Sequence, residues 1–474
     1  MTGKGRMHME RILLFGTGLF YLYRKGSLAA CLGDDEVVGF IDNHPPEGKA
    51  FEGKPVYLPQ ELQHAAYDRI LLMSFGVREM AEQLLGLGVE RSKISFYRAY
   101  RARKTRGKFE LPVLPQARTK KEVLMISDDL RYEGSSTVLV YGAKVLQARG
   151  CQVTIAAPSV LPQLEAELAR DGIRVVHVPT LPYVSDAEAR WMRQYDALLV
   201  NRIVNLHVAR VMRDMLPLLW VHAPGAPYTR RYEGVQYEFP EDGTREALAG
   251  VRVFGVSRLA AANVMRYYPD VPAGVLPYGV PDAWDGRVTV HDHPVFALIG
   301  YFHATKGQQA FLEAVRLLQA RGAGKDAEFW LIGAQNPSAY GHAVRAMAEA
   351  MPAVRCKGVL THEEMAEAYR RIDVVVSASP VEMLSTVCVE CLMHADVCLL
   401  TRQNGVAPYL TNGVDGFVCE DNEPAHLAAA MERVLDARAR WAEIGRNGRA
   451  VYEQHFSLDR FGDRLARELG LDGR

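Results

Sequence analysis

No run of about 18 uninterrupted apolar residues occurs anywhere in this 474-residue chain, which excludes a hydrophobic helix crossing a bilayer. Net charge is absent too. The 56 basic residues cancel the 56 acidic ones, so no global field recruits nucleic acid or an acidic membrane, and any partner must be recognised locally. Cysteine is sparse: seven thiols lie scattered along the chain behind the polar start Met-Thr-Gly-Lys-Gly-Arg. There is no secretory leader and no disulfide framework, which points to a reduced, cytoplasmic protein. Cys388-Val-Glu-Cys391 matches C-x-x-C, but without a second pair at ligand spacing and in a helical setting it reads as packing, not as a metal or redox site.

What is present is a long alternation of strand and helix patterns. At ~100–200 residues per domain the length implies about three units. The first hundred residues read β-α-β-α-β, with strands at Arg11–Phe15, Val37–Ile41 and Arg69–Ser74. Gly16-Thr17-Gly18 follows the first strand and Asp42 ends the second, the places where a dinucleotide fold turns tightly and binds a ribose. Tyr21 stands where the third glycine of that fingerprint belongs. The segment therefore reads equally as a ligand site or as a tight turn in a docking domain. It resembles, over residues 9–98, the small Rossmann-like domains that precede bacterial sugar-modifying proteins.

A basic stretch, Arg101-Ala-Arg-Lys-Thr-Arg-Gly-Lys108, comes next, then Pro112, Pro115 and Lys120-Lys121. This composition predicts a linker. It also admits peripheral contact with anionic lipid on the inner face of the membrane, at ~1 kcal/mol per basic residue. Two further α/β units follow. Strands are expected at Val123–Ser127, Gln152–Ala156, Val175–Val178, Ala197–Val200, Leu218–Val221 and Val253–Ser257 in one, and at Val295–Gly300, Glu328–Gly333, Ile372–Ser377 and Val397–Thr401 in the other. Such alternation argues for mostly parallel sheets flanked by helices, two of them in tandem with a cleft between.

Candidate site residues cluster at strand ends. The run Ile372 to Pro380 would place Glu382 on a loop at the carboxyl edge of a sheet, where open α/β sheets bind ligands. The next helix would aim the backbone N–H groups near Ser385, Thr386 and Val387 at that edge, a setting that favours a diphosphate. Glu390, about a turn on, can accept hydrogen bonds from a cis-diol such as ribose. Lys306, in Gly300-Tyr-Phe-His-Ala-Thr-Lys306-Gly307, can neutralise phosphate charge. Gly134-Ser135-Ser136 opens a helix with residues small enough for close approach, and His222 ends the strand Leu218–Val221. Each of these, taken alone, also reads as an ordinary surface or structural residue.

In order, over residues 121–460, they resemble the retaining glycosyltransferases of family 4. The match extends to Val253–Ser257, to Val275-Leu-Pro-Tyr-Gly-Val280 and to Gly413-Val-Asp-Gly-Phe417. The resemblance implies the GT-B fold, two Rossmann-like domains facing a cleft, here preceded by a third, smaller one. The boundaries expected are 1–108, 109–285, 286–456 and a C-terminal helix in 457–474 packing back on the N-terminal half.

It further implies that Glu382 contacts the donor sugar, that Ser385 to Val387 hold the diphosphate and Glu390 the ribose. Lys306 would stabilise the leaving group, His222 would lie beside the transferred sugar, and Gly134 to Ser136 would approach phosphates or acceptor. The base would pack near Lys357-Gly358-Val359. No metal or cofactor is implied. The donor would be a UDP- or GDP-sugar and the acceptor a cell-surface glycan or glycolipid, as in lipopolysaccharide or capsule synthesis. The tyrosines beside arginines in Arg230 to Glu238 suit acceptor contact, and suit an ordinary surface loop just as well. Tyr301 stands where relatives carry arginine, and Met-Leu-Ser follows Glu382 where they carry glycine-aromatic-glycine. These departures keep open a degenerate nucleotide-sugar binder, and the shared architecture keeps open a GT-B epimerase or hydrolase.

Overall fold

The computed structural model describes residues 9–74, 77–110, 113–114, 118–222, 248–335 and 338–471. The polar N-terminus, Pro112, Pro115 and the segment 230–238 lie outside the described residues. Three sheets form, mostly of short aliphatic runs whose side chains are covered on both faces, as parallel strands require.

The first sheet contains β1 (Arg11–Phe15), β2 (Glu36–Ile41), β3 (Ala50–Phe51), β4 (Lys54–Tyr57), β5 (Arg69–Leu72) and β6 (Ile94–Phe96) in the order β3-β4-β2-β1-β5-β6. All its pairings are parallel except β3 with β4. The second holds β7 (Glu122–Ile126), β8 (Gln152–Ala157), β9 (Arg174–His177), β10 (Ala197–Asn201), β11 (Leu218–Val221), β12 (Arg252–Gly255) and β13 (Ala273–Val275), ordered β13-β12-β11-β10-β7-β8-β9. The third holds β14 (Val295–Ile299), β15 (Glu328–Ile332), β16 (Val354–Gly358), β17 (Val374–Ser377), β18 (Val397–Thr401) and β19 (Phe417–Cys419), ordered β16-β15-β14-β17-β18-β19 and wholly parallel. Each expected strand is found. Sequence periodicity passes over β3, β4, β6, β13, β16 and β19, which are two to five residues long and lie at or next to sheet edges.

The described residues gather into two compact units, one of residues up to 132, 151–219 and 248–252, the other of residues 133–150, 220–222 and 253 onward. In the second unit, the helix Leu458–Glu468 lays Phe461 and Leu465 on Gly142 of the helix Gly134–Ala148, where a Cβ would meet Leu465 at 3.2 Å. Trp220 stacks on Phe461 at 5.5 Å.

In the first unit, the expectation of a solvated linker from Arg101 is corrected. Residues Tyr97–Thr105 form a helix, and its basic side chains are already paired. Arg101 is 2% exposed and donates to Asp129 at 2.7 Å, while Arg24 donates to the other oxygen of Asp129 at 2.7 Å. Arg98 reaches Asp128 at 3.2 Å, Arg103 faces Glu10, Lys104 pairs with Asp35 and Arg106 with Glu188. Burial alone would raise the pKa of Asp129, but Arg101, Arg24 and Arg98 overcome it and hold the carboxyl well below the usual range. The apolar periodicity of this helix is poor because one of its faces is buried by charge pairing.

Removing one partner of a buried pair leaves the others uncompensated. Asp129→Asn is therefore expected to destabilise the protein by ~3–5 kcal/mol in urea unfolding. A loss below ~0.5 kcal/mol, the range of ordinary surface substitutions, would show that the two arginines are satisfied without it.

Candidate active site

The third sheet reverses its strand order between β14 and β17, which are direct neighbours (Phe296 beside Val374, Ala297 beside Val375) while their connections lead to opposite sides. Open α/β sheets bind ligands in the crevice at such a switch point, beyond the carboxyl ends of the strands. The loop after β14 passes through Gly300 at φ +157° and reaches the turn Ala304–Lys306, then Gly307 at φ +73° starts the helix Gln308–Ala320. A Cβ on Gly307 would lie 2.0 Å from the Ala378 carbonyl oxygen, so only glycine lets these two loops approach.

The approach brings Lys306 Nζ to 2.5 Å from Glu382 Oε2, with the two side chains 29% and 21% exposed. Glu382 is fixed on both sides of its Cα. Its amide donates to the Gln403 carbonyl at 2.9 Å and its carbonyl accepts from the Gly405 amide at 2.8 Å. Gly405 has no room for a side chain, since a Cβ would fall 1.7 Å from the Met383 carbonyl oxygen.

From this loop the chain enters the helix Thr386–His394. Ser385 is its N-cap, and Ser385 Oγ accepts from the Cys388 amide at 3.2 Å. The N–H groups of Thr386 and Val387 have no intrahelical carbonyl to bond, which is the physical basis of an anion site at a helix start. Cys388 and Cys391 are free thiols on the buried face of this helix.

Glu390 is half-buried and accepts from the Tyr369 hydroxyl at 2.9 Å. Burial pushes its pKa up to about 7, with the Tyr369 hydrogen bond opposing the rise. Tyr369 stacks on His394 at 4.3 Å.

Among the candidate residues Lys306 and Glu382 come into direct contact; Ser385, Thr386, Val387 and Glu390 lie on the helix start and helix that follow Glu382, and the rest stand on other elements. Tyr301 is 45% exposed, its ring beside His303 at 5.5 Å. Lys357 holds its ammonium 4.1 Å over the ring of Trp330, and Val359 is exposed. Gly134 opens the helix Gly134–Ala148 into free space, whereas Ser136 turns inward and is fully buried. His222 lies against Trp220 at 4.5 Å and parallel to Tyr278 at 6.4 Å. Tyr278 in turn donates to the Leu384 carbonyl at 2.6 Å, and burial together with Glu382 and Glu390 raises its pKa well above that of free phenol. In the first sheet, Asp42 Oδ2 already accepts from the Thr17 amide and hydroxyl at 3.1 and 2.7 Å, and Tyr21 packs its ring on Phe40 and Phe51. Asp42 there braces a turn. Among the described residues no three His, Cys, Asp or Glu side chains are grouped to hold a metal ion.

Residues 293–437 match the family model described as glycosyl transferases group 1, and residues 8–95 match one described as C2185-like, N-terminal. Among solved structures, a glycosyltransferase from Rickettsia africae superposes with a TM-score of 0.60 at 16% identity, covering 75% of this chain and 98% of that one. Anabaena HepE, solved in complex with UDP and glucose, gives 0.60 at 16% identity over 74% and 99%. The fold is GT-B. Among curated proteins, alpha-D-kanosaminyltransferase of Streptomyces kanamyceticus is 27% identical over 188 residues, 39% of this chain and 48% of the relative. D-inositol 3-phosphate glycosyltransferase of Corynebacterium kroppenstedtii is 26% identical over 160 residues, 32% and 35% respectively. The chain thus spans about half or less of the length of the curated relatives it matches.

Four supporting residues escape sequence reasoning: Tyr278, Tyr369, Gly405 and Asn404, whose side chain donates to Ser377 Oγ at 3.3 Å and accepts from the Val406 amide at 3.0 Å. Asn404-Gly405 is a turn signal and Tyr278 lies in the matched segment 275–280, so both left a trace. Tyr369 left none.

The raised pKa of Glu390 carries a sign. The native state holds this proton more tightly than the unfolded chain, so its contribution to stability is complete below about pH 4.5 and is lost as pH rises through about 7. Glu390→Gln is expected to raise stability at pH 8 by ~1–3 kcal/mol and to flatten the slope between pH 5 and 8. An unchanged slope in thermal melts of the variant would assign that pH dependence to other groups.

Proposed function

We propose that this protein is a retaining, metal-independent glycosyltransferase that moves a sugar from a nucleotide-sugar donor to a surface glycan or glycolipid acceptor. The observation that carries the reading is the Lys306–Glu382 contact at the β14/β17 switch point, one short loop ahead of the free amides of Thr386 and Val387. A cation beside two helix-start N–H groups suits a leaving diphosphate, and such preorganised donors are the main source of rate in reactions that build up negative charge. Glu382 would orient the donor sugar, and in the resting protein it compensates the ammonium that later meets the diphosphate. Glu390, one edge open and Tyr369 behind it, would take the ribose hydroxyls, with Lys357, Val359 and Tyr301 along the nucleotide and His222 beside the sugar.

UDP is the favoured nucleotide because HepE, of the same fold, was solved with it. The lipopolysaccharide glycosyltransferase WaaG also shares the fold, at a TM-score of 0.53 and 15% identity, which suits a bacterial envelope acceptor. We place the protein in the cytoplasm, at the inner membrane face when it meets a lipid-linked acceptor; among the described residues no helix is long and apolar enough to cross a membrane. The domain limits 1–108, 109–285, 286–456 and 457–474 belong to the same proposal. Tyr301 favours the second reading, a nucleotide-sugar binder of reduced activity, since a phenol cannot neutralise phosphate charge.

Thermal shift of the full chain with UDP, GDP, ADP and CDP in EDTA decides first. One nucleotide at ~100 times its dissociation constant should add ~2.7 kcal/mol, and no response to any of the four would remove the donor-site assignment. Glu382→Ala should abolish most turnover and leave nucleotide affinity nearly unchanged. Glu390→Ala should weaken nucleotide binding by ~1.5–3 kcal/mol, the value of a charged hydrogen bond; equal affinity would take Glu390 off the ribose.

A further inference from the structure

Gln308 opens the helix Gln308–Ala320 and is fully buried, although the other buried residues of that helix, from Phe311 to Leu318, are all apolar. A carboxamide in such a place is costly unless its hydrogen bonds are made. They are made, chiefly to the loop that carries Lys306. Gln308 Nε2 donates to the Tyr301 carbonyl at 2.9 Å and reaches the Gly300 carbonyl at 3.5 Å. Gln308 Oε1 accepts from the Tyr340 hydroxyl at 3.1 Å and from the His303 amide at 3.4 Å. The Tyr340 hydroxyl accepts in turn from the Gln309 amide at 3.3 Å. These partners dictate which end of the carboxamide points where, since two carbonyls require the NH2 group and an N–H requires the oxygen. A leucine or methionine would offer neither end, and a glutamate would turn a second oxygen toward the two carbonyls.

The aliphatic stem of Lys306 lies over the same loop: a Cβ on Gly300 would meet Lys306 Cγ at 3.4 Å and Cδ at 3.5 Å. Where Gly300 and Tyr301 sit therefore sets where the ammonium is delivered. The loop is tied to β15 and its following turn at two points, the Gly300 amide on the Ile332 carbonyl and the Phe302 amide on the Ala334 carbonyl, both at 2.8 Å. Tyr301, between these ties, is held by Gln308. The Lys306 amide closes the turn on the His303 carbonyl at 2.8 Å, and His303 is the other residue that Gln308 grips. We infer that Gln308 is a positioning residue, whose carboxamide sets the loop so that Lys306 meets the diphosphate of the donor. The inference rests on the donor-site reading given above. Gln308 is buried and acts through the ammonium, whose displacement by about 1 Å in a preorganised site can cost up to ~10²-fold in rate. Tyr340 acts one step further out, by holding the oxygen end of the same carboxamide.

The test is a double-mutant cycle on nucleotide affinity in the full chain, measured by calorimetry in EDTA with UDP, or with whichever of GDP, ADP and CDP the protein binds. Lys306→Met and Gln308→Met are each expected to weaken binding at least about fivefold. The double variant should bind within about twofold of Lys306→Met alone, because a residue that acts through the ammonium then has nothing left to position. A merely structural role gives losses that multiply. A double variant weakened by the product of the two single losses would therefore overturn the inference, as would full affinity in Gln308→Met. Tyr340→Phe removes one partner of the carboxamide and leaves the carboxamide in place, so it keeps the test open if Gln308→Met does not fold. Its expected loss is about two- to threefold, absent in the Lys306→Met background, and a loss that persists there overturns the inference equally. Failure of the donor reading has a different signature: no nucleotide binds the full chain, or Lys306→Met binds as tightly as the full chain does, and the inference falls with it.

Discussion

Everything proposed for the third sheet depends on one adjacency: β14 and β17 lie side by side although their loops are far apart in sequence. Lys306 and Glu382, 76 residues apart, meet at 2.5 Å only because of it. An exposed lysine–carboxylate pair contributes little to stability, so the contact is better understood as a consequence of the topology than as a cause of it. The sheet is held by its apolar core, from Phe296 and Phe311 to Leu399 and Trp441. The glycines do the rest. Gly307 and Gly405 permit backbone approaches that any side chain would block, and these approaches set the Lys306 and Glu382 loops facing each other.

The same topological rule operates in the second sheet. There the loops at the switch point carry Asp128, Asp129 and Arg202, and three more arginines, Arg24, Arg98 and Arg101, come from the N-terminal region. Burying charges is costly unless each is paired and hydrogen-bonded, so the pairs around Asp128 and Asp129 tie the first sheet to the second as one compact unit. A basic run that composition marks as solvated is instead largely internal.

Glu390 illustrates how burial changes a carboxyl group. Its carboxyl is half-buried, braced by Tyr369, and titrates near neutrality. A group in that state is an adaptable hydrogen-bond partner for hydroxyls, and it is also a site where ligand binding and proton uptake are linked. Tyr278 joins the segment that carries it to the Glu382 loop through the Leu384 carbonyl.

Much of this was legible in the residues. Aliphatic runs of five or six residues identify buried parallel strands because both faces are covered, and their spacing identifies the α/β alternation; the strand-end positions of Lys306, Glu382 and the Ser385 helix start follow from that. The short edge strands β13, β16 and β19 were not legible, since partial exposure removes the hydrophobic signal. Nor was the helical, buried state of Arg101, because a charge paired inside a protein has the same letter as a charge in water. Which strands are neighbours, and hence that Lys306 touches Glu382, that Tyr369 backs Glu390, and that Arg98 and Arg202 share an oxygen of Asp128, was decided by tertiary packing alone. Sequence order specifies strands one at a time, whereas a site at a switch point is made by two strands whose adjacency is a property of the whole sheet.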